Sequence, residues 1–194
     1  MSKIKKDTLT DFFVFLNCYV DLMKEGRRPS WDAYGMLLAF SASSRVVCKH
    51  HKVGCCIMAI DHSIISTGFN GPVRGDVHCD EVGCAKKDGV LQDDGTTKFM
   101  RCRGSHSEMN ALNQTSDKDL LKGATIYLTL EPCFDCFKNL AQAGIKKVVY
   151  FREYRRVPDK DDHSEEHEDV MRLATHNGIS VTKYRMPTLG GEKS

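Results

Sequence analysis

Two short motifs in the middle of the chain contain residue types that bind metals. The first is His106-Ser107-Glu108, and the second is Pro132-Cys133-Phe134-Asp135-Cys136. An imidazole and two thiolates are ligands that zinc accepts, and three protein ligands leave one tetrahedral position open for water. A glutamate two residues from the ligating histidine can move the protons of that water without binding the metal. We therefore predict a catalytic zinc on His106, Cys133 and Cys136, with Glu108 as the catalytic acid and base.

The competing interpretation of these residues is a purely structural zinc, with Glu108 incidental. A structural site normally has four protein ligands, and the two motifs supply three. The open fourth position therefore favours the catalytic interpretation.

Length and charge narrow the class of protein and of substrate. The chain has 194 residues, which is enough for one domain with a sizeable core, and its formal net charge is +2. A nucleic-acid-binding surface usually has a larger basic excess or a basic stripe, so a small-molecule substrate is favoured over nucleic acid. No run of about 18 apolar residues is present, and no membrane-spanning helix is predicted.

The chain contains nine cysteines. An odd number, with one C-x-x-C pair and a nearby histidine, indicates metal binding rather than a disulfide framework. Reduced thiols predict an intracellular, cytoplasmic protein. Cys18, Cys55 and Cys56 lie in predicted helix or strand segments, and we interpret them as small core residues.

Apolar periodicity and turn residues predict the elements that position the motifs. Helices are predicted where apolar residues recur every three or four positions, and strands where short β-branched runs lie between turns. Ser30 and Ser105 are the predicted N-caps of two helices. The predicted helices cover residues 8–23, 31–44, 105–115, 133–143 and 161–175, and the predicted strands cover 53–60, 64–69, 124–130, 146–151 and 179–184.

This order of elements predicts an α/β fold, with a mixed five-stranded sheet and helices on both faces. The short turn at 61–63 makes the first two strands antiparallel, and the later β-α-β-α-β half should be parallel with right-handed crossovers. Both metal motifs then begin helices near the carboxyl ends of strands, where open α/β sheets bind ligands. Residues 1–29 are predicted to be an N-terminal extension helix, 30–186 the main domain and 187–194 a flexible tail.

The N-terminal helix has a broad apolar face that includes Phe12, Phe15 and Leu22. This face could pack on the chain's own sheet or on another subunit. The first alternative is favoured, because amphipathic stripes most often belong to the core of the same chain.

From Trp31 to about Tyr184 the chain resembles the deoxycytidylate (dCMP) deaminase family, within the cytidine-deaminase-like three-layer αβα zinc fold. It is also similar to the closely related late-competence proteins of bacteria. The pairing of H-x-E with P-C-x-x-C is typical of zinc-dependent nucleobase deaminases. The other segments that support the resemblance are 31–36, 52–57, 142–146 and the Gly-Phe-Asn-Gly sequence at 68–71, which is fairly specific for this branch.

The resemblance implies zinc-dependent hydrolysis of dCMP to dUMP and ammonia, which would supply thymidylate synthesis. Such an enzyme is a hydrolase acting on cyclic amidines. Zinc would provide activated water for attack at C4 of cytosine, and Glu108 would move protons to N3 and to the departing amine.

The resemblance also implies contacts to the nucleotide. Asn70 matches a residue that contacts the sugar, and Tyr154 matches an aromatic residue near the substrate. Ser107 replaces the usual alanine, and its backbone amide should still reach the base carbonyl. Candidates for binding the phosphate are Lys52 and Arg45.

Two alternatives to a dCMP deaminase stay open. One is deamination of another cytosine nucleotide or nucleoside, or of a base in RNA, because Glu131 before Pro132 is common in tRNA and purine deaminases. The other is a non-catalytic zinc-fold protein that acts in interactions or DNA uptake, against which the intact Glu108 argues.

The resemblance further implies a homo-oligomer. The regulated members of the family are hexamers controlled by dCTP and dTTP. The segment 114–117, after the helix of Glu108, has no basic residue, so we expect that this regulation does not transfer unchanged.

A second, structural zinc is predicted on Cys48, Cys79, Cys84 and Cys102. The late-competence branch has cysteines in the same four contexts, and four thiolates make a closed zinc site. Such a site would order the irregular segment 73–103, which is long for a loop in a compact domain. His78 could replace one thiolate, and the alternative is that the four cysteines are scattered free thiols.

Overall fold

The computed structural model describes residues 8–153 and 164–186. Its helices are α1 (Thr8–Lys24), α2 (Trp31–Ser43), α3 (Cys79–Val82), α4 (Ser107–Gln114), α5 (Phe134–Ala143) and α6 (Ser164–Asn177), with a 3-10 helix at Lys118–Leu121. Its strands are β1 (Gly54–Met58), β2 (Ile64–Phe69), β3 (Gly71–Pro72), β4 (Val90–Leu91), β5 (Thr97–Lys98), β6 (Gly104–Ser105), β7 (Thr125–Leu130), β8 (Lys147–Arg152) and β9 (Ser180–Lys183).

Five of the described strands form a central sheet in the order β2-β1-β7-β8-β9, and the other four pair as β3 with β6 and β4 with β5. Strand β1 is antiparallel to both β2 and β7, whereas β7, β8 and β9 are parallel to one another. The mixed five-stranded sheet predicted from the sequence is therefore confirmed. Its parallel half places the carboxyl ends of β7 and β8 at one edge, beside the start of α5.

Two apolar layers cover the two faces of this sheet. On one face, α4, α5 and α6 contribute Leu112, Phe137 and Val170 to a core with Leu128 of β7. On the other face, α1 and α2 contribute Phe15 and other apolar residues to a second cluster. Full burial of one such side chain contributes about 1.5–3 kcal/mol to stability, so both layers are essential to the fold.

The N-terminal helix packs on the chain's own core, as favoured from the sequence. Phe15 is 2% exposed, and its ring lies 5.2 Å from Phe40 and 6.3 Å from Phe151, measured between centroids. The opposite side of α1 leaves Phe13, Val20 and other large apolar side chains exposed. One face of α1 therefore belongs to the core, and another faces outwards.

Several predicted boundaries are wrong by one or more residues. The N-cap of α4 is His106 and not Ser105, because Ser105 belongs to β6, where it pairs with Gly71. The first strand ends at Met58, and Ile60 is 73% exposed. Helix α6 was predicted to begin at residue 161, which lies outside the described residues, as do the predicted tail 187–194 and the neighbourhood of Tyr154.

The segment 73–103 contains more regular structure than its sequence suggests. Besides the short α3, it holds the hairpin formed by β4 and β5. A backbone hydrogen bond of 2.9 Å from Met100 N to Ala85 O joins its two halves. The cysteines at 79, 84 and 102 lie in this segment.

None of the described helices combines the length and the apolar character that crossing a bilayer requires.

Candidate active site

Both predicted metal motifs lie at the beginnings of helices. His106 is the N-cap of α4 and Cys133 is the N-cap of α5, and both have extended backbones with ψ near 154° and 161°. Neither side chain makes a capping hydrogen bond to its own helix. The two side chains that would normally cap a helix are therefore available for another partner.

The three predicted ligands come together in space. The ligand atoms of His106, Cys133 and Cys136 lie within 4.8 Å of one another. The Nδ1 atom of His106 is 3.3 Å from Cys136 Sγ and 3.6 Å from Cys133 Sγ. Tetrahedral zinc with ordinary bond lengths separates a nitrogen and a sulfur ligand by roughly 3.6 Å, so the donor types and the spacing both fit zinc.

The pKa values of the Cys133 and Cys136 thiols are shifted in opposite directions. Hydrogen bonding from Cys136 lowers the pKa of the Cys133 thiol, although its partial burial acts against this. The same hydrogen bond, together with burial, raises the pKa of Cys136. Cys133 is therefore the more acidic thiol of the pair, and a metal that binds both sulfurs must displace the proton that they share.

Glu108 lies directly beside the ligand cluster. It is 4% exposed, and burial raises the pKa of its carboxyl group. The hydroxyl of Ser107 donates a hydrogen bond of 2.9 Å to Glu108 Oε2, and the carboxyl group also contacts the Cys136 thiol. A buried carboxyl next to a metal but outside the ligand triad is suited to proton transfer.

Strand β2 fixes the position of α4 through a very close contact. A Cβ atom on Gly68 would overlap the carbonyl oxygen of Ser107 and the backbone nitrogen of Ala111. The thiol of Cys55 on β1 donates a hydrogen bond of 3.2 Å to that same carbonyl of Ser107. The first turn of α4, and with it Glu108, is therefore seated directly on the sheet.

Residues 29–152 match the family model described as the cytidine and deoxycytidylate deaminase zinc-binding region. This match covers more than half of the chain and contains all of the site described above. The chain belongs to this family. The resemblance noted from the sequence is thus confirmed, and the zinc-binding character of the family agrees with the ligand geometry.

Individual members of the family share about a third of their residues with this chain. Deoxycytidylate deaminase of Saccharomyces cerevisiae is 37% identical over 157 residues, which are 81% of this chain and 46% of that protein. Deoxycytidylate deaminase of Mycobacterium phage D29 is 36% identical over 129 residues, which are 65% of this chain and 98% of that protein. The chain spans less than half of the length of the yeast relative and nearly all of the phage relative.

Solved structures show the same fold. A dCMP deaminase from the cyanophage S-TIM5, in complex with dCMP and dUMP, has 28% sequence identity and a TM-score of 0.57. The likeness covers 81% of this chain and 98% of the phage chain. The cytidine-deaminase-like fold predicted from the sequence is therefore confirmed.

The predicted substrate contacts occupy different positions in the structure. The Asn70 side chain accepts a hydrogen bond of 2.8 Å from Val53 N and donates one of 2.9 Å to His51 O, so it already holds the segment before β1. Ser107 is fully buried beside Glu108. Lys52 and Arg45 are exposed, and Tyr154 lies outside the described residues. Their roles towards substrate remain predictions.

A basic cluster near the predicted ligand His106 was not predicted from the sequence. Burial is the main cause that lowers the pKa of His51, and positive charge on Lys87, His50, His106 and Lys86 lowers it further. These groups therefore lie in the neighbourhood of His51, as does the predicted ligand His106. The dipeptides 50–51 and 86–87 are visible in the sequence, but 34 residues lie between them and no pattern joins them.

The four cysteines of the predicted second site are neighbours in the structure. The pKa of Cys79 is raised by burial and then by the nearby Cys48, Cys84 and Cys102. Cys79 and Cys84 are each 7% exposed. In the described parts of the chain, however, ligand atoms within 4.8 Å of one another occur at the His106 cluster and not at these four sulfurs. All nine cysteines are free thiols.

Proposed function

We propose that this chain is a zinc-dependent deaminase that converts dCMP and water to dUMP and ammonia. The observation that carries the proposal is the three-ligand cluster of His106, Cys133 and Cys136 with the buried Glu108 beside it. The relatives named deoxycytidylate deaminase and the phage enzyme with bound dCMP and dUMP support the choice of substrate.

The residues of the site have distinct tasks in this reaction. His106, Cys133 and Cys136 would hold the zinc, which supplies Lewis-acid activation of water at neutral pH. Glu108 carries two protons in turn: one from the attacking water to N3 of the cytosine ring, and then one from the new C4 hydroxyl to the amino group, which leaves as ammonia. The hydroxyl of Ser107 holds Glu108 in place through its hydrogen bond of 2.9 Å.

The basic cluster supports a substrate with a phosphate. Lys86 and Lys87 are exposed and place positive charge near His51, which in turn lies near His106. A 5′-phosphate on the substrate would find charge-assisted hydrogen-bond donors there, whereas a nucleoside would leave them unused. This favours a nucleotide over a nucleoside as the substrate.

Ammonia release from a panel of substrates tests the proposal. The panel contains deoxycytidine, cytidine, dCMP, CMP, dCTP and a cytosine-containing single-stranded RNA, and the Glu108→Gln variant controls for contaminating deaminases. We expect the highest kcat/KM for dCMP. Better turnover of a compound without a 5′-phosphate would overturn the substrate, and no turnover of any compound would favour the non-catalytic alternative.

We also propose that a second, structural zinc binds Cys48, Cys79, Cys84 and Cys102. Their proximity and the burial of Cys79 and Cys84 support it. Because thiolates on one zinc lie roughly 3.8 Å apart, metal binding would draw the four sulfurs closer together than they lie here. The zinc would fasten segment 73–103 to the residues before β1 and before α4.

Finally, we propose that the chain forms a homo-oligomer, with a hexamer as the form implied by the family resemblance. The exposed apolar side chains of α1 support this proposal, because such stripes are often covered by a partner. They are Leu9, Phe13, Val14, Val20 and Met23.

A further inference from the structure

Helix α5 lacks a cap of its own because its N-cap residue is a metal ligand. N-cap side chains normally accept a hydrogen bond from a backbone N–H in the first turn. Cys133 occupies this position and makes no such bond; its sulfur lies 3.6 Å from His106 Nδ1 and within 4.8 Å of the Cys136 sulfur. The first N–H groups of α5 therefore need an acceptor from elsewhere in the molecule.

Glu166 of α6 supplies this acceptor. Its Oε1 atom accepts a hydrogen bond of 3.0 Å from the backbone N–H of Phe134, which is the residue directly after Cys133. The acceptor is a carboxylate at the positive end of a helix, which strengthens the hydrogen bond. Glu166 thus replaces the cap that Cys133 cannot provide.

The next residue of α6 holds the other side of the same loop. His167 Nδ1 lies 2.6 Å from Glu131 Oε1, and Glu131 is 8% exposed. The backbone N–H of Glu131 also donates a hydrogen bond of 2.8 Å to Arg152 O on β8. Pro132 and Cys133 are therefore held between two residues that are each fixed from outside the loop.

We propose that Glu166 and His167 are positioning residues that hold Cys133 in its metal-binding orientation. They act through Phe134 and Glu131 and do not touch the metal or the substrate. The proposal rests on zinc binding at the proposed active site, and it adds a dependence of that binding on α6. Residues that hold metal ligands in place typically change metal affinity or activity by 10- to 100-fold when they are lost.

Helix α6, which carries Glu166 and His167, is held in place by its packing in the core. Val170 and Ala174 on the same helix are 1% and 2% exposed, and they pack in the core with residues of α5 and the sheet. A shift of α6 would therefore move both hydrogen-bonding residues together. The P-C-x-x-C motif does not predict the contact between Glu166 and Phe134, because Glu166 lies 30 residues after Cys136 in the chain.

Zinc affinity, measured by competition with a chromophoric chelator, tests the proposal without reference to turnover. If both proposed sites bind zinc, the metal is released in two steps, and the step that changes in the His106→Ala variant belongs to the active site. For that step we expect Glu166→Ala to raise the zinc dissociation constant by about 10-fold or more. Glu166→Gln should restore most of the affinity, because the amide oxygen can still accept the N–H of Phe134. His167→Ala should weaken zinc binding in the same direction.

Glu168→Ala is the matched control, because it removes the same charge from an exposed position on the same helix. Thermal unfolding of the zinc-free proteins separates positioning from simple helix stabilisation. If Glu166→Ala lowers the unfolding temperature of the zinc-free protein but leaves the zinc dissociation constant at the wild-type value, the positioning role is refuted. A failure of wild type to deaminate dCMP would refute the proposed function and leave the zinc measurement intact.

Discussion

Glu108 is the residue whose environment has the most direct chemical consequence. Its carboxyl group is almost fully buried, contacts Ser107 and Cys136, and is separated from the ligand His106 by one residue. A group held in this way can transfer protons without reorganisation, because its neighbours already fix its orientation.

Glu108→Gln keeps the size of the side chain and removes its ability to accept a proton. We expect kcat for dCMP to fall by about 100-fold or more, the usual contribution of general acid–base catalysis. The zinc content should stay at the wild-type level, since Glu108 is not a ligand. Ammonia-release kinetics and elemental analysis on the same sample check both points, and an unchanged kcat would remove Glu108 from the mechanism.

Lys86 and Lys87 place their charge near His51, which also lies near the predicted ligand His106. We expect the double variant Lys86→Ala/Lys87→Ala to raise KM for dCMP by about 10-fold, the loss expected for one or two charge-assisted hydrogen bonds. The kcat/KM for deoxycytidine should change little. Lys138→Ala on α5 is the control, and equal effects on nucleotide and nucleoside would exclude a phosphate-binding role.

The contact between β2 and α4 sets the position of Glu108, the proposed catalytic residue. Gly68 leaves no room for a side chain between the strand and the first turn of the helix, where Ser107 and Ala111 lie. A substitution there must move α4 away from the sheet, and Glu108 moves with it.

Gly68→Ala should therefore reduce both stability and activity. We expect a loss of about 1–3 kcal/mol in the free energy of unfolding, as is typical for overpacking, together with a lower kcat. Gly71→Ala is the control within the same segment, because the nearest atom to its Cβ would be 3.9 Å away. Urea unfolding and steady-state kinetics distinguish the two variants, and equal stability would contradict the close contact.

The sequence predicts the elements well where one local signal determines them. The strands around 64–69 and 124–130 and the helix after Cys133 are found within a residue or two of their predicted places, and the three predicted metal ligands lie together in space. The misplaced N-cap of α4 shows the limit, because Ser105 pairs with Gly71, 34 positions earlier. The contact of Glu166 with Phe134 and the cluster of His51 with Lys86 and Lys87 also join distant segments, and no local pattern encodes them.

The number of zinc ions bound by the whole molecule distinguishes one zinc site from two. We expect two zinc ions per wild-type chain, and one in the Cys84→Ser variant. Loss of a structural zinc should also lower stability markedly, because binding energy at such sites is folding energy. Cys18→Ser on α1 is the control. A count near one for wild type, with unchanged stability of Cys84→Ser, would refute the second site.

The outward face of α1 allows a test of whether copies of the chain associate. Phe13 is 58% exposed, whereas Phe15 on the same helix is 2% exposed. If the outward face lies between subunits, Phe13→Asp should shift light-scattering mass towards the monomer while the unfolding of the monomer itself changes little. Asn17→Asp, with the same added charge on an exposed polar position of α1, is the control. An unchanged mass would exclude this face from the interface.

His106 and Cys133 are the N-cap residues of α4 and α5, and this restricts the positions at which the chain can gain or lose residues. One residue inserted in the first turn of either helix would turn the ligand by about 100° around the helix axis and break the cluster. Insertions beyond Gln114 or Gly144, at the far ends of α4 and α5, leave both starts in register with the sheet. Insertions and deletions among relatives should therefore occur mainly after the C-terminal ends of α4 and α5 and rarely at their N-terminal ends.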